Sequence, residues 1–168
     1  MVRYTRQYNE YTCGPVAIIN AIKWSGHKAT LKQDLKPIAR ECRCEPHNGT
    51  SHANFDRVLR SKSVGRFMVK RRICPNLADI EQHLIRSKCA VIINFLHVDE
   101  NAKELDSHYA LLTGITESGK FMQVNSFDGK TVEMTTRQQL CRDLEKRKGK
   151  NGKIYPRAWF LTLADNSI

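Results

Sequence analysis

The sequence lacks an apolar segment long enough to cross a membrane. Its longest apolar run is AVIINFL at Ala90–Leu96, whereas a membrane-spanning helix needs about 20 such residues. The opening stretch MVRYTRQYNEYT also lacks the apolar core of a secretory signal. From these two absences we expect a cytoplasmic protein. In that reducing compartment its six cysteines should stay free thiols.

Acidic residues are also scarce, since 17 Asp and Glu stand against 28 Lys and Arg, for a formal net charge of +11. Such an excess attracts nucleic acid, anionic lipid or an acidic protein without choosing among them. No named DNA-binding motif accompanies it. We expect contact with an anionic partner through two basic clusters, whose members are Lys70, Arg71 and Arg72 in the first, and Lys146, Arg147, Lys148, Lys150 and Lys153 in the second.

The chain has no internal repeat and no long linker, so residues 1–168 are expected to form one domain. Hydrophobic periodicity and cap residues predict helices beginning near Cys13, Thr30, Thr50 or Ser51, Asn76, and Thr135 or Thr136. Predicted strands lie at 66–69, 89–96, 108–115, 121–127 and 154–163, with a basic loop at 146–153. Helices followed by a mostly antiparallel sheet indicate an α+β fold.

The stretch QYNEYTCGPVAIIN at 7–20 places a cysteine where polar chain changes to an apolar helical pattern. Cys13 therefore lies at a predicted helix N-terminus, with Pro15 in the first turn. Unpaired N–H groups and the helix dipole lower the pKa of a thiol placed there. Gly14 leaves the backbone open to a substrate carbonyl. Cys13 is the candidate nucleophile.

A cysteine nucleophile needs a base. Among the six histidines, His108 directly precedes the apolar run Tyr109–Leu112 and begins a predicted strand. A histidine at a strand start can face a cleft while the rest of its strand is fixed in the core. His97 is the rival, because it ends the preceding predicted strand.

The orienting residue follows from the pairing of two predicted strands. A two-residue turn at Ser118-Gly119 places Leu112 opposite Asn125, so Asn125 shares a face of the sheet with His108. Asp128 then falls on the other face. A slip of one residue reverses this choice, so Asp128 stays open as the alternative. Upstream, Gln7 is a candidate side-chain donor to a substrate oxyanion, beside the backbone N–H of Cys13.

Together these residues resemble the papain-like cysteine peptidases, and most closely the bacteriocin-processing peptidases that remove double-glycine leaders, with their stand-alone relatives. The resemblance covers most of the chain. It is carried by Gln7, Cys13-Gly14-Pro15, Gly49-Thr50-Ser51, AVIINF, His108–Gly114 and Val124-Asn125-Ser126. It implies that Cys13 is the nucleophile, His108 the base, Asn125 the orienting residue and Gln7 the oxyanion-hole donor. The bacteriocin-processing family usually has Asp-Pro at Asn125-Ser126, whereas asparagine is the orienting residue of papain itself.

The implied activity is hydrolysis of a peptide or isopeptide bond through a thioester acyl-enzyme, with no cofactor and no metal. Two alternatives stay open. One is a catalytically idle fold that binds nucleic acid or protein through its basic surface, and the other is an acyl transferase. A zinc site at Cys42 and Cys44 is disfavoured, because a Cys-x-Cys pair lacks the usual Cys-x2-4-Cys spacing.

Neutralising Lys146, Arg147, Lys148 and Lys150 to glutamine tests the role of the second basic cluster. Exposed charges are screened beyond about 8 Å at physiological salt. We therefore expect weaker, salt-dependent capture of an anionic target and an unchanged turnover of a short neutral peptide. Stopped-flow association and peptide turnover measure the two quantities. A large loss on the neutral peptide would place this cluster at the active site instead.

Overall fold

The structure, a computed structural model, describes residues 2–7, 9, 11–27, 34–62, 64–65, 67–97, 106–124, 132–149 and 152–164. Its helices are α1 (Cys13–Trp24), α2 (Leu35–Glu41), α3 (His52–Leu59), α4 (Leu77–Leu84) and α5 (Arg137–Asp143). Its strands are β1 (Phe67–Ile73), β2 (Cys89–His97), β3 (Asp106–Ile115), β4 (Phe121–Val124), β5 (Val132–Thr135), β6 (Arg147–Gly149), β7 (Gly152–Ile154) and β8 (Arg157–Leu163). None of the described helices is long and apolar enough to cross a membrane.

Six strands form one antiparallel sheet in the order β1-β8-β2-β3-β4-β5, and β6 and β7 pair separately. Side chains alternate between the two faces of the sheet. One face packs against α1, α2 and α3, and the other packs against α4 and α5. The predicted α+β class is confirmed. The central strand β2 is apolar on both faces, as its sequence predicts, because helices cover both sides.

Helix starts agree with their predicted caps at three places. Ser51 accepts from the N–H of Asn54, Asn76 from Asp79, and Thr136 from Gln139. The second helix differs, because α2 begins at Leu35 with Asp34 as its N-cap. Pro37 is then the third helical residue, where its missing N–H costs nothing. The predicted capping residues Thr30 and Gln33 lie outside the described residues.

Two strand predictions need correction, and one strand was not predicted. β1 continues to Ile73, so the first basic cluster lies on an edge strand of the sheet. Residues 146–153, predicted as a loop, contain the paired strands β6 and β7. The strand β5 was not predicted, because its sequence VEMT has only four residues, two of them polar. Edge strands give a weak sequence signal, since only part of their surface is buried.

The β3–β4 turn is longer than predicted. Thr116 donates its N–H to Lys120 O at 2.8 Å and accepts from the N–H of Gly119. The loop therefore has three residues, with Gly119 at φ +76°. Glycine suits that left-handed position in a three-residue hairpin. This geometry shifts the pairing by one residue.

A bulge between Leu112 and Gly114 shifts the pairing by one residue more. Leu112 pairs with Gln123, so the predicted Leu112–Asn125 pair is wrong. The two shifts add to an even number and cancel in parity. Gln123 therefore lies on the same face of the sheet as Leu112 and His108.

An aromatic cluster fixes α3 to the sheet. The Phe55 ring stacks on Tyr109 with centroids 4.4 Å apart and lies 4.6 Å from Trp159. The Trp159 indole N–H donates to Asp56 Oδ1 at 2.9 Å. All three rings are buried on the face that carries α1. The cluster therefore holds the start of α3 close to β3 and β8.

We expect Phe55→Ala to lower the free energy of unfolding by about 3–5 kcal/mol, since it removes a fully buried ring. Urea denaturation measures the loss. Met68→Ala is the control, because Met68 is 61% exposed and its truncation should change stability by about 0.5 kcal/mol or less. Equal effects of the two changes would contradict the assignment of Phe55 to the core.

Candidate functional site

Cys13 is the first residue of α1 and is 5% exposed. The hydroxyl of the preceding Thr12 does not cap the helix. It donates instead to Asn9 Oδ1 at 2.6 Å, and the Thr12 N–H donates to the same oxygen at 3.1 Å. The backbone N–H groups of Gly14 and Tyr109 lie against the Cys13 sulfur. The sulfur therefore sits where the helix mouth meets β3.

Burial raises the pKa of the Cys13 thiol, although hydrogen bonds from the backbone N–H groups of Tyr109 and Gly14 act in the opposite direction. The sequence predicted a lowered pKa at a helix N-terminus, and that prediction is wrong for this structure. Desolvation outweighs the amides because the sulfur is almost fully enclosed. The thiol is protonated at neutral pH, so a reaction at this sulfur needs a base to take its proton.

The N-terminal segment is bound to α1 by a reciprocal pair of hydrogen bonds. Thr5 N–H donates to Asn20 Oδ1 at 2.7 Å, and Asn20 Nδ2 donates to Thr5 O at 3.1 Å. Gln7 follows, and its Nε2 donates to Asn9 O at 2.6 Å. Among the described residues, the buried Gln7 Oε1 has no hydrogen-bond partner. The segment thus brings Gln7 to the region of Asn9, which also binds Thr12 before Cys13.

His108 is a buried residue of β3. Its ring meets Phe95 edge-on, with centroids 5.6 Å apart and planes at 87°. Phe95 belongs to the core on the α4 face, whereas Tyr109 belongs to the core on the α1 face. The backbone of His108 is therefore next to the amide that faces Cys13, while its ring packs with Phe95. The rival His97 ends β2, and the candidate orienting residues Asn125 and Asp128 lie outside the described residues.

The first basic cluster lies along β1. Arg72 forms an ion pair with Asp79 of α4, and its guanidinium lies 5.7 Å from the centroid of the Phe160 ring. Lys70 and Arg72 line a cavity of about 400 Å³ between β1 and α4. Arg71 lies within electrostatic range of His52. This cluster is therefore not uniformly a free solvated face.

The second basic cluster is distributed over two short strands. Lys146 Nζ lies 5.7 Å from the centroid of the Tyr155 ring. Arg147 and Lys148 belong to β6, and Lys153 belongs to β7. Lys150 lies outside the described residues.

A cavity of about 320 Å³ opens beside Cys13. Its other walls are Tyr11, the loop 46–51, His52, Ser107 and Tyr109. The loop approaches α1 closely: a Cβ on Gly14 would lie 3.1 Å from Thr50 Cβ. Glycine at position 14 therefore suits the close packing that forms this wall.

His52 and Asn94 form a pair that the sequence analysis missed. His52 Nε2 lies 2.8 Å from Asn94 Oδ1. Asn94 Nδ2 donates to Ser107 Oγ at 2.7 Å and to His108 O at 3.2 Å. The available signal was the amide within the apolar run AVIINFL, because a polar side chain in a central strand needs partners.

Burial lowers the pKa of His52, and Arg157 and Arg71 lower it further against the opposing hydrogen bond to Asn94. Arg157 Nη1 lies 3.3 Å from His52 Nε2 and donates to Tyr155 O at 3.1 Å. The His52 ring is therefore neutral at physiological pH, since protonation would add a third cation beside two guanidinium groups.

No cluster of three or more His, Cys, Asp or Glu that could hold a metal ion occurs among the described residues. Cys42 is buried in the core, and the Cys44 thiol donates to Tyr11 O at 2.9 Å. Cys42 therefore has a place in the core, and Cys44 is bound to the segment that precedes α1.

We expect the His52 ring to be the Nε2–H tautomer, with a titration midpoint below 6.5. The stability associated with the neutral ring is present above that pH and is lost as the pH falls through the folded-state pKa. Nitrogen-15 NMR of the imidazole gives both the tautomer and the midpoint, and His52→Gln identifies the signal. An Nδ1–H tautomer, or a midpoint above 6.5, would contradict the hydrogen-bonded pair.

Comparison with solved structures shows a likeness in fold. No family model matches the chain, and no curated protein matches it by sequence. A crystal structure of a candidate C39-like peptidase from Bacillus anthracis superimposes with a TM-score of 0.62 at 10% identity, over 94% of each chain. The protein therefore has the fold of a C39-like peptidase, with five described helices and a six-stranded antiparallel sheet.

Proposed function

We propose that this protein is a cysteine peptidase that cleaves a peptide or isopeptide bond with Cys13 as the nucleophile. One observation carries the proposal: Cys13 lies at the N-terminus of α1, in the wall of a cavity, with the backbone N–H groups of Tyr109, Gly14 and Cys13 itself against its sulfur. Such N–H groups stabilise a thiolate once it forms. The C39-like fold supports the same activity.

His108 is the proposed base, and it takes the thiol proton as the sulfur attacks the substrate carbonyl. Support comes from the chain itself, since the residue that follows His108 contributes the amide that faces the sulfur. Asn125 is proposed to orient the ring, and Asp128 is the alternative.

The reaction proceeds through a thioester. Attack by the sulfur forms a tetrahedral intermediate, whose oxyanion is stabilised by the Cys13 backbone N–H and the Gln7 side chain. The imidazolium then returns its proton to the leaving amine, and the C–N bond breaks. Water, deprotonated by the same imidazole, attacks the thioester and releases the acid and the free thiol.

The bacteriocin-processing peptidases are the proposed relatives, on the strength of the residues Gln7, Cys13 and His108. Their preference for double-glycine leaders is not carried over to this chain, because Asn125-Ser126 stands where that family usually has Asp-Pro. Substrates should therefore be sought with an unbiased peptide library.

A second candidate function is binding without catalysis. The raised pKa of the Cys13 thiol favours it, as does the cavity lined by Lys70, Arg72 and Arg86. An idle fold would hold its thiol protonated and would use the basic surface alone. The two functions predict opposite results for Cys13→Ala, because catalysis needs the thiol and binding through the basic surface does not.

We expect Cys13→Ala to abolish cleavage of a peptide library, and His108→Ala to lower turnover by about 10²–10⁴-fold, the usual contribution of a general base. Cys141→Ala is the matched control, because Cys141 is an exposed cysteine. Mass spectrometry of the digests measures cleavage. A trapped thioester at Cys13 would identify the intermediate.

Retention of cleavage by Cys13→Ala would refute the proposal. If the wild type forms the thioester but transfers it to an added amine faster than to water, the protein is an acyl transferase. If neither product forms and an anionic ligand still binds, the second candidate is correct.

A further inference from the structure

The Asn94 side chain is fully buried in the central strand β2, yet all of its hydrogen-bonding groups are used. Its carbonyl oxygen meets His52 Nε2, and its amide meets Ser107 Oγ and His108 O. A buried amide among apolar residues destabilises the fold unless it is satisfied. The three partners belong to α3 and β3, so this amide connects two walls of the Cys13 cavity.

The direction of these hydrogen bonds is fixed by one partner. His108 O is a carbonyl oxygen and can only accept, so the NH₂ group of Asn94 must face it. The carbonyl oxygen of Asn94 therefore faces His52 and must accept as well. It follows that His52 Nε2 carries the hydrogen and donates.

The same peptide unit that accepts from Asn94 faces the nucleophile on its other side. His108 C=O and Tyr109 N–H belong to one planar amide and point in opposite directions. The carbonyl accepts from Asn94, and the N–H lies against the Cys13 sulfur. The donors thus follow one direction: His52 donates to Asn94, Asn94 donates to His108 O, and the Tyr109 N–H donates to the Cys13 sulfur.

We propose that His52 and Asn94 are positioning residues that strengthen the Tyr109 N–H as a donor to the Cys13 thiolate, through the 108–109 peptide. Hydrogen bonds in such a chain polarise one another, by about 10–30% per bond in condensed phase. A stronger donor favours the thiolate over the thiol and opposes the burial that raises the thiol pKa. The catalytic consequence rests on the proposed function, whereas the effect on thiol ionisation does not.

The same hydrogen bonds also fix the backbone position of the proposed base. Asn94 Nδ2 donates to the carbonyl oxygen of His108 and to Ser107 Oγ of the preceding residue. A purely structural role for Asn94 would affect stability alone. The proposed role also changes the ionisation of a sulfur that Asn94 does not touch, and that readout separates the two.

The experiment measures site-resolved alkylation of the full-length protein by iodoacetamide as a function of pH, with mass spectrometry reporting Cys13. We expect Asn94→Leu to raise the thiol pKa of Cys13, so that its alkylation at neutral pH slows by roughly threefold. Gln123→Leu is the matched control, because Gln123 is also a buried amide of the sheet and bonds Thr135. It should leave the Cys13 profile unchanged.

If Asn94→Leu does not fold, a second pair of variants tests the first hydrogen bond of the series, which His52 donates. His52→Gln keeps a side-chain N–H at the position of Nε2, whereas His52→Phe keeps the ring shape and removes the donor. We expect the wild-type pH profile from His52→Gln and a raised Cys13 pKa from His52→Phe. Identical profiles for these two variants would overturn the proposal, as would an unchanged profile in a folded Asn94→Leu protein.

Peptide cleavage by the same variants separates this inference from the proposed function. If the wild type cleaves no peptide but Asn94→Leu still raises the Cys13 pKa, the proposed peptidase activity is wrong and the positioning role of His52 and Asn94 stands. If the wild type cleaves peptides but the Cys13 pH profile is unchanged in the Asn94 and His52 variants, only the positioning role is wrong.

Discussion

The contact between the N-terminus of α1 and the middle of β3 is the constraint on which the candidate site depends. Gly14 favours it, because a Cβ there would lie only 3.1 Å from Thr50 Cβ and the loop would have to shift by a few tenths of an ångström. The contact brings the Cys13 sulfur to the Tyr109 amide and closes one wall of the cavity. The N-terminal segment, through Thr5 and Asn20, is held to the same helix. The position of the Cys13 sulfur is therefore a consequence of the packing of α1 against the sheet.

That packing sets two opposing effects on the sulfur. Close enclosure removes water and raises the thiol pKa, whereas the same approach supplies backbone N–H groups that favour the thiolate. An enclosed thiol with a raised pKa reacts more slowly with oxidants and alkylating agents than an exposed thiol does. Reaction then depends on a base, the role proposed for His108, and on backbone donors, which the buried amide of Asn94 is proposed to strengthen.

The sheet places the side chains of Tyr109 and Asn94 on one face and the side chain of His108 on the other. Tyr109 and Asn94 project toward α1 and α3, where the cavity lies, whereas the ring of His108 packs with Phe95 on the face of α4. The 108–109 peptide of β3 contacts both the Asn94 amide and the Cys13 sulfur. A peptide unit in a central strand can therefore link a buried polar network on one side to a sulfur at the strand's other edge.

The sequence by itself determined the fold class, the helix mouth at Cys13 and the caps at Ser51, Asn76 and Thr136, because these follow from local periodicity and local hydrogen bonding. It determined neither the register of β3 with β4 nor the ionisation of the thiol. Register depends on a bulge and on a left-handed Gly119, and the pKa depends on how tightly distant elements enclose the sulfur. The pairing of His52 with Asn94, 42 residues apart, was likewise decided only by tertiary structure, since nothing local in either segment specifies the other.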